Sequence, residues 1–263
     1  MAIFERLLMG KNRQQYDPEN DFDVKIIDDG TAVEITRYVG NNTKPRIPPH
    51  IQDLPVTAIG EFAFSSLMKN SLIALVGVTI PESVTRIGDS AFCGQQLTSV
   101  VIPDGVTHIE DGVFADNELT NISIPNSVIH IGSMAFCENK LASITIPDGV
   151  THIGDLAFAL NKLTEIIIPN NVSKIGESAF HGNQLNNITI PGCTTHIEED
   201  AFACNQLVSV TISEGVKHIG EGAFRDNKLT GIIIPDSVIH IGKNVFAGNL
   251  FRFRRSMKVS QNF

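Results

Sequence analysis

A single period governs most of this chain. Proline stands at Pro81, Pro103, Pro125, Pro147, Pro169, Pro191 and Pro235, with Ser213 filling the one gap, and every step is 22 residues. Phenylalanine keeps the same period: nine of the fifteen form a column, Phe64, Phe92, Phe114, Phe136, Phe158, Phe180, Phe202, Phe224 and Phe246, spaced by 22 after a first step of 28. Six extra residues near Leu72 to Val78 account for that longer step. A unit of 22 residues cannot bury an apolar face alone, so consecutive units must stack, like residue above like residue, at the strand spacing of about 4.8 Å. The repeat therefore predicts a solenoid whose nine Phe rungs extend roughly 40 Å along its axis.

One unit, residues 161–182, reads NKLTEIIIPNNVSKIGESAFHG. Its β-branched run, from Leu163 through Ile166 to Ile168, recurs as LTSVVI, LTNISI, LASITI, LNNITI, LVSVTI and LTGIII, which predicts a short strand in each coil. Proline lacks an N–H and closes that strand at a fixed point. Val172 and Ile175 then return to the interior, and Gly176 is expected to allow a tight bend. Segments such as GDSAF and GESAF predict one helical or 3-10 turn that drives Phe into the core. The Asn that follows, from Asn117 to Asn249, is expected to satisfy turn backbone groups with its amide.

Charge narrows the partners. Lys and Arg number 20 against 29 Asp and Glu, a net charge of −9, which repels a phosphate backbone and argues against nucleic acid. No apolar run approaches the roughly 18 to 20 residues that span a bilayer. At the amino terminus, Glu5 and Arg6 split the apolar stretch below the about 7 to 15 residues an export signal needs, so a cytoplasmic location is the default and a surface or secreted one needs another route. Cys93, Cys137, Cys193 and Cys204 show neither CxxC nor zinc-finger spacing and are expected as free thiols.

The pattern L-x-x-I-x-I-P-x-x-V-x-x-I-G-x-x-A-F, carried from about Thr31 to Leu250, resembles the BspA-type leucine-rich-repeat family. The resemblance implies a leucine-rich-repeat superhelix with one continuous parallel β-sheet and short helical or 3-10 turns on its other side. Such repeats commonly run to 23 residues with a Cys after Ala-Phe, whereas these have 22 and an Asn. Residues 1–50 then form a tail and N-terminal cap, 51–250 an array of about nine coils, and 251–263 a C-terminal cap or tail, with Arg254 standing where the pattern asks for Ile. The family implies a non-catalytic protein that binds other proteins, in adhesion or host-protein contact, and no cofactor.

Three surfaces could carry function. The strand positions two and four after each Leu are Ser99 and Val101, Asn121 and Ser123, Ser143 and Thr145, Glu165 and Ile167, Asn187 and Thr189, Ser209 and Thr211, and Gly231 and Ile233. They are nearly uncharged, although residues 81–246 hold 8 basic and 19 acidic side chains, so they are the expected protein-binding strip. Small β-formers also simply suit an exposed sheet. A second column, His108, His130, His152, His196, His218 and His240, begins at Arg86 and is interrupted by Lys174; imidazoles one rung apart suggest Zn²⁺ or Ni²⁺ as an alternative ligand, while tandem duplication alone also explains the column. A third possibility is an intracellular scaffold whose ends stack on further copies. Every Ser, His and acid available for a catalytic triad is duplicated, and no phosphate-binding glycine loop is present, so no enzyme is expected.

Overall fold

The computed structural model describes residues 16–67 and 73–251, and the backbone of 257–259. Residues 1–15, on which the export expectation rests, lie outside these, as do Leu72 and residues 252–256 with Arg254. The chain opens with β1 (Phe22–Ile27), antiparallel to β2 (Ala32–Tyr38), between 3-10 turns at Glu19–Asp21 and Asp28–Gly30. β3 (His50–Ile51) folds antiparallel onto β4 (Leu54–Ile59), and β4 runs parallel to β2. The rings of Phe22 and Tyr38 sit 6.4 and 5.4 Å from that of Phe64, so this hairpin covers the first end of the Phe column.

Along the array follow β5 (Arg86–Ile87), β6 (His108–Ile109), β7 (His130–Ile131), β8 (His152–Ile153), β9 (Lys174–Ile175), β10 (Asn187–Ile190), β11 (His196–Ile197), β12 (Ser209–Ile212), β13 (His218–Ile219), β14 (Ile232–Ile234), β15 (His240–Ile241) and β16 (Met257–Val259). The solenoid and its parallel sheet are as the repeat predicts, but the ladder runs elsewhere. It passes through the dipeptides β6, β7, β8, β9, β11, β13 and β15, seven parallel strands in strict register, while β5 pairs with β4 instead. Among the described residues the Leu-x-x-Ile-x-Ile runs pair as β10 with β12 and β14 with β16, plus bridges between Val101 and Ser123 and between Arg46 and Thr79.

Proline explains the difference. The start of each run is held to the coil before it, as where Lys162 N donates to Leu141 O at 3.0 Å and Gln184 N to Leu163 O at 2.9 Å. At the far end the proline has no proton to give. The one coil with Ser213 in that slot recovers the bond, Ser213 N to Ile190 O at 3.1 Å, and it closes the four-residue β10–β12 pair.

The expected helical turn before Phe is absent among the described residues of the array. Two left-handed residues bracket the step at every Phe from Phe92 to Phe246, for example Ser90 (φ 52°) and Gly94 (φ 72°), Leu156 (φ 57°) and Leu160 (φ 55°), and Asp200 (φ 53°) and Cys204 (φ 56°). Alternate N–H groups bond forward to the next coil, Leu156 to Glu177 O at 2.7 Å and Phe158 to Ala179 O at 2.8 Å, while those between close single turns, Ala157 to Gly154 O at 3.3 Å and Ala159 to Leu156 O at 3.0 Å, which the left-handed residues keep from continuing as a helix. Phe92 through Phe224 are fully buried and stack face to face, the Phe158 and Phe180 rings 5.4 Å apart at 10°.

The recurring glycine also has a different reason. Gly154 keeps a negative φ, but a Cβ there would come within 2.5 Å of Gly132 C and Ser133 N in the coil before it. Close approach of coils, and no special bend, demands glycine. Where Glu198 stands in the slot its N–H reaches Ile175 O at 3.3 Å, against 2.8 Å from Gly154 to Ile131 O. The ladder breaks between β5 and β6, beside the other exception, Glu110.

The Asn column does what its position predicts. Asn161 Nδ2 donates to Phe136 O at 2.8 Å and to Phe158 O and Ala159 O at 3.2 Å, and its Oδ1 accepts from Leu141 N at 3.0 Å. The Phe carbonyls from Phe114 to Phe224 thereby take amides from two coils, and the buried turns are sewn together.

Candidate functional site

Strand alternation sends Ile166 and Ile168 inward and Glu165 and Ile167 outward, and the same holds in every coil. All fourteen strip residues, from Ser99 to Ile233, are exposed. Three β-branched apolar side chains project furthest, Val101 at 75%, Ile167 at 83% and Ile233 at 71% of full exposure. Glu165 is the one charge on the strip. Ser209 Oγ and Asn187 Oδ1 join across neighbouring coils at 2.6 Å.

The strip is not uniform. Between residues 165–168 and β10, which do not pair, lies a groove of about 660 Å³ lined by Thr164–Ile168, Asn170, Asn186–Thr189, Pro191, Gly192 and Ser213. Glu165, Ile167, Asn187 and Thr189 thus meet around one concavity. The groove sits beside the unit in which Pro-Gly-Cys-Thr-Thr replaces the Pro-Asp-Gly-Val-Thr of residues 147–151, with Thr194 fully buried in the Val position and its hydroxyl donating to Val172 O at 2.7 Å. The Ser213 substitution and this PGCTT sequence were the sequence signals available for the groove; neither shows the groove itself.

The His column is also displayed outward. His196 and His218 stack at 4.5 Å and 3°, His108 and His130 lie 5.8 Å apart and His130 and His152 6.4 Å, with rings tilted by 36° and 40°. The hydroxyls of Thr107, Thr151 and Thr195 meet Nδ1 of the following His at 2.9 Å. Among the described residues, no group of three or more His, Cys, Asp or Glu is placed to hold a metal ion. The cysteines are free, as expected. Burial, reinforced by the Glu138 carboxylate, pushes the Cys137 thiol up to about 11; Cys93 and Cys204 are raised by burial as well. On the turn side Arg225 grips Asp200 with Nε at 2.7 Å and Nη2 at 2.8 Å and reaches Asp226 at 2.9 Å, hydrogen bonds that hold its proton more firmly than usual. No helix among the described residues is long and apolar enough to cross a membrane.

A family model described as the BspA type leucine rich repeat region matches in 6 copies, over residues 57–159 and 129–251. Among solved structures, a leucine-rich repeat protein from Bacteroides ovatus is similar at 27% identity and a TM-score of 0.75, covering 89% of this chain; the chain spans 62% of that protein's length. A leucine rich cell surface protein from Faecalibacterium prausnitzii is 26% identical with a TM-score of 0.68, covering 94% of this chain and 79% of its own. A Treponema pallidum leucine rich repeat protein shares 26% identity over 79% of this chain and 87% of its own, with a TM-score of 0.50. No curated protein matches.

Proposed function

The chain belongs to the BspA-type leucine-rich-repeat family, and from that premise we propose that it is a non-catalytic protein-binding repeat protein whose partner lies along the uncharged strip. The observation that carries this reading is the strip itself: fourteen exposed positions with a single charge, on an array otherwise rich in carboxylates. The groove beside Ile167 gives the partner an apolar anchor point, since contact energy concentrates where a side chain can be fully desolvated. Adhesion or host-protein contact is the finer form of this reading, supported by a cell surface protein among the structural relatives.

The test has two arms. Ile167→Arg and Thr189→Arg place a long cation on either lip of the groove without touching the core. Affinity capture with wild-type and doubly substituted chains should return a partner set that the variant loses; identical sets overturn the strip as the site. Protease shaving of intact cells that express the native gene then addresses adhesion. Loss of the protein from the cell supports a surface role, and survival in the lysate overturns it in favour of an intracellular scaffold.

A further inference from the structure

The face opposite in character to the strip carries two charged columns side by side. The first is the His column with Arg86 and Lys174, exposed or half-exposed throughout. The second stands three residues on, across the Ile and the glycine slot. Asp89, Asp111, Asp155, Glu177, Glu199 and Glu221 follow Arg86, His108, His152, Lys174, His196 and His218, and all six are exposed. Only His130 and His240 lack the acid, being followed by Ser133 and Lys243. Strict register of the His-Ile ladder keeps both columns straight and on one pitch of about 4.8 Å.

The two columns do not neutralise each other within the chain. Among the described residues no carboxylate pairs with any of the six imidazoles; the cations of the column that are paired are Arg86, to Glu34 at 2.6 Å, and Lys174, to Glu198 at 3.5 Å. The other groups around the column are Lys25 on the far side of Glu34, Glu110 in the glycine slot, and Lys217 beside His218. Asp111 and Asp155 keep their carboxylates in place by accepting from Ser133 N and Glu177 N at 2.7 and 2.9 Å.

A partner for this face must offer alternate charges on the same pitch, and another coil stack of this sequence does so at six of the eight rungs, those of His130 and His240 excepted. Symmetry then fixes the arrangement. A two-fold axis parallel to the solenoid axis, midway between the columns, sets each basic column against the acidic column of the other copy; an antiparallel pairing would set His against His. We propose that the two-column face is a docking surface for a second copy of this chain, packed side by side and parallel, and closed by acidification. A neutral imidazole gives a facing carboxylate no charge partner, whereas an imidazolium does, and histidine is the side chain whose charge changes between about pH 8 and 5, so all six acid-bearing rungs are complemented on acidification. Association takes up protons, so it strengthens as pH falls.

Sedimentation velocity on the full chain in low salt reads this directly. The expected mass is that of a monomer at about pH 7.5 and twice that at about pH 5.8, reversed by raising the pH or by 0.5 M NaCl. Small-angle scattering should give the dimer a maximum dimension close to the monomer's; a doubled length would mean end-to-end stacking and overturn the proposal. The pH 5.8 arm lies close to the isoelectric point of about 5.3, so charge-matched variants separate docking from isoelectric association. Asp155→Asn, Glu177→Gln and Glu199→Gln together should leave a monomer at pH 5.8. Asp104→Asn, Asp148→Asn and Glu214→Gln, exposed acids on another turn, should dimerise as wild type does. A wild-type monomer at both pH values, or equal behaviour of the two variants, overturns the proposal. Neither outcome bears on the strip, whose capture assay is separate.

Discussion

Asn161→Ala tests the stitching that holds one coil to the next. The substitution leaves Phe136 O with the amide of Asn139 at 3.2 Å, Phe158 O with that of Asn183 at 2.9 Å, and Ala159 O with Glu138 N at 3.0 Å, so each carbonyl keeps a partner. Leu141 N, which gives its proton only to Asn161 Oδ1 in a fully buried setting, is orphaned. An unsatisfied buried donor costs about 1–3 kcal/mol, and the lost amide bonds add about 1 kcal/mol, for a total of about 2–4 kcal/mol. Asn161→Asp keeps the acceptor but points oxygen at Phe136 O. Burial against carbonyls raises the carboxyl's folded pKa, so the N161D variant is least stable near pH 7 and recovers relative to wild type as pH falls and the acid can donate. In the last coil Asn249 is half-buried, so Asn249→Ala, which removes the same bond to Leu229 N, lets water approach through the vacated side chain, and the loss should be smaller than at 161. Urea titration followed by far-UV circular dichroism suits a chain with no Trp, provided a single transition is seen in each variant. A loss under 1 kcal/mol for Asn161→Ala, or equal losses at 161 and 249, would refute the reasoning.

Phe158→Ala empties the middle of the ring stack and should cost about 3–5 kcal/mol in the same titration; a loss under 1 kcal/mol would place the ring outside the core. Gly154→Ala forces neighbouring coils apart as Glu198 does and should cost about 1–3 kcal/mol, with hydrogen exchange fastest at Gly154 and its ladder neighbours. Alkylation at pH 8 should modify exposed Cys193 first and spare Cys137. Because the Cys137 thiol is raised when folded, its contribution to stability holds below about pH 9 and is lost as pH climbs towards about 11, so a Cys137→Ala variant should show a weaker alkaline loss than wild type. Arg225→Ala, at a half-exposed site, should cost about 1 kcal/mol and less in high salt; no salt effect would mean packing outweighs the ion pair there.

The 22-residue period alone determines the solenoid, the buried Phe and Asn columns and the outward strip, because a repeat that cannot bury its own face has one way to do so. Alternation alone set which of Ile166 and Ile167 faces water. Three features needed the tertiary structure. The continuous ladder passes through His-Ile and not the Leu runs, since each proline withholds a proton that Ser213 alone supplies, and the consequence appears only when coils are laid side by side. The Ala-Phe step looks helical one residue at a time, but alternate N–H groups are spent on the next coil, a demand no single unit reveals. The groove at Ile167 and the facing of the acid column beside the His column depend on how neighbouring coils pair and register, and a one-dimensional pattern fixes the order of its residues without fixing those distances.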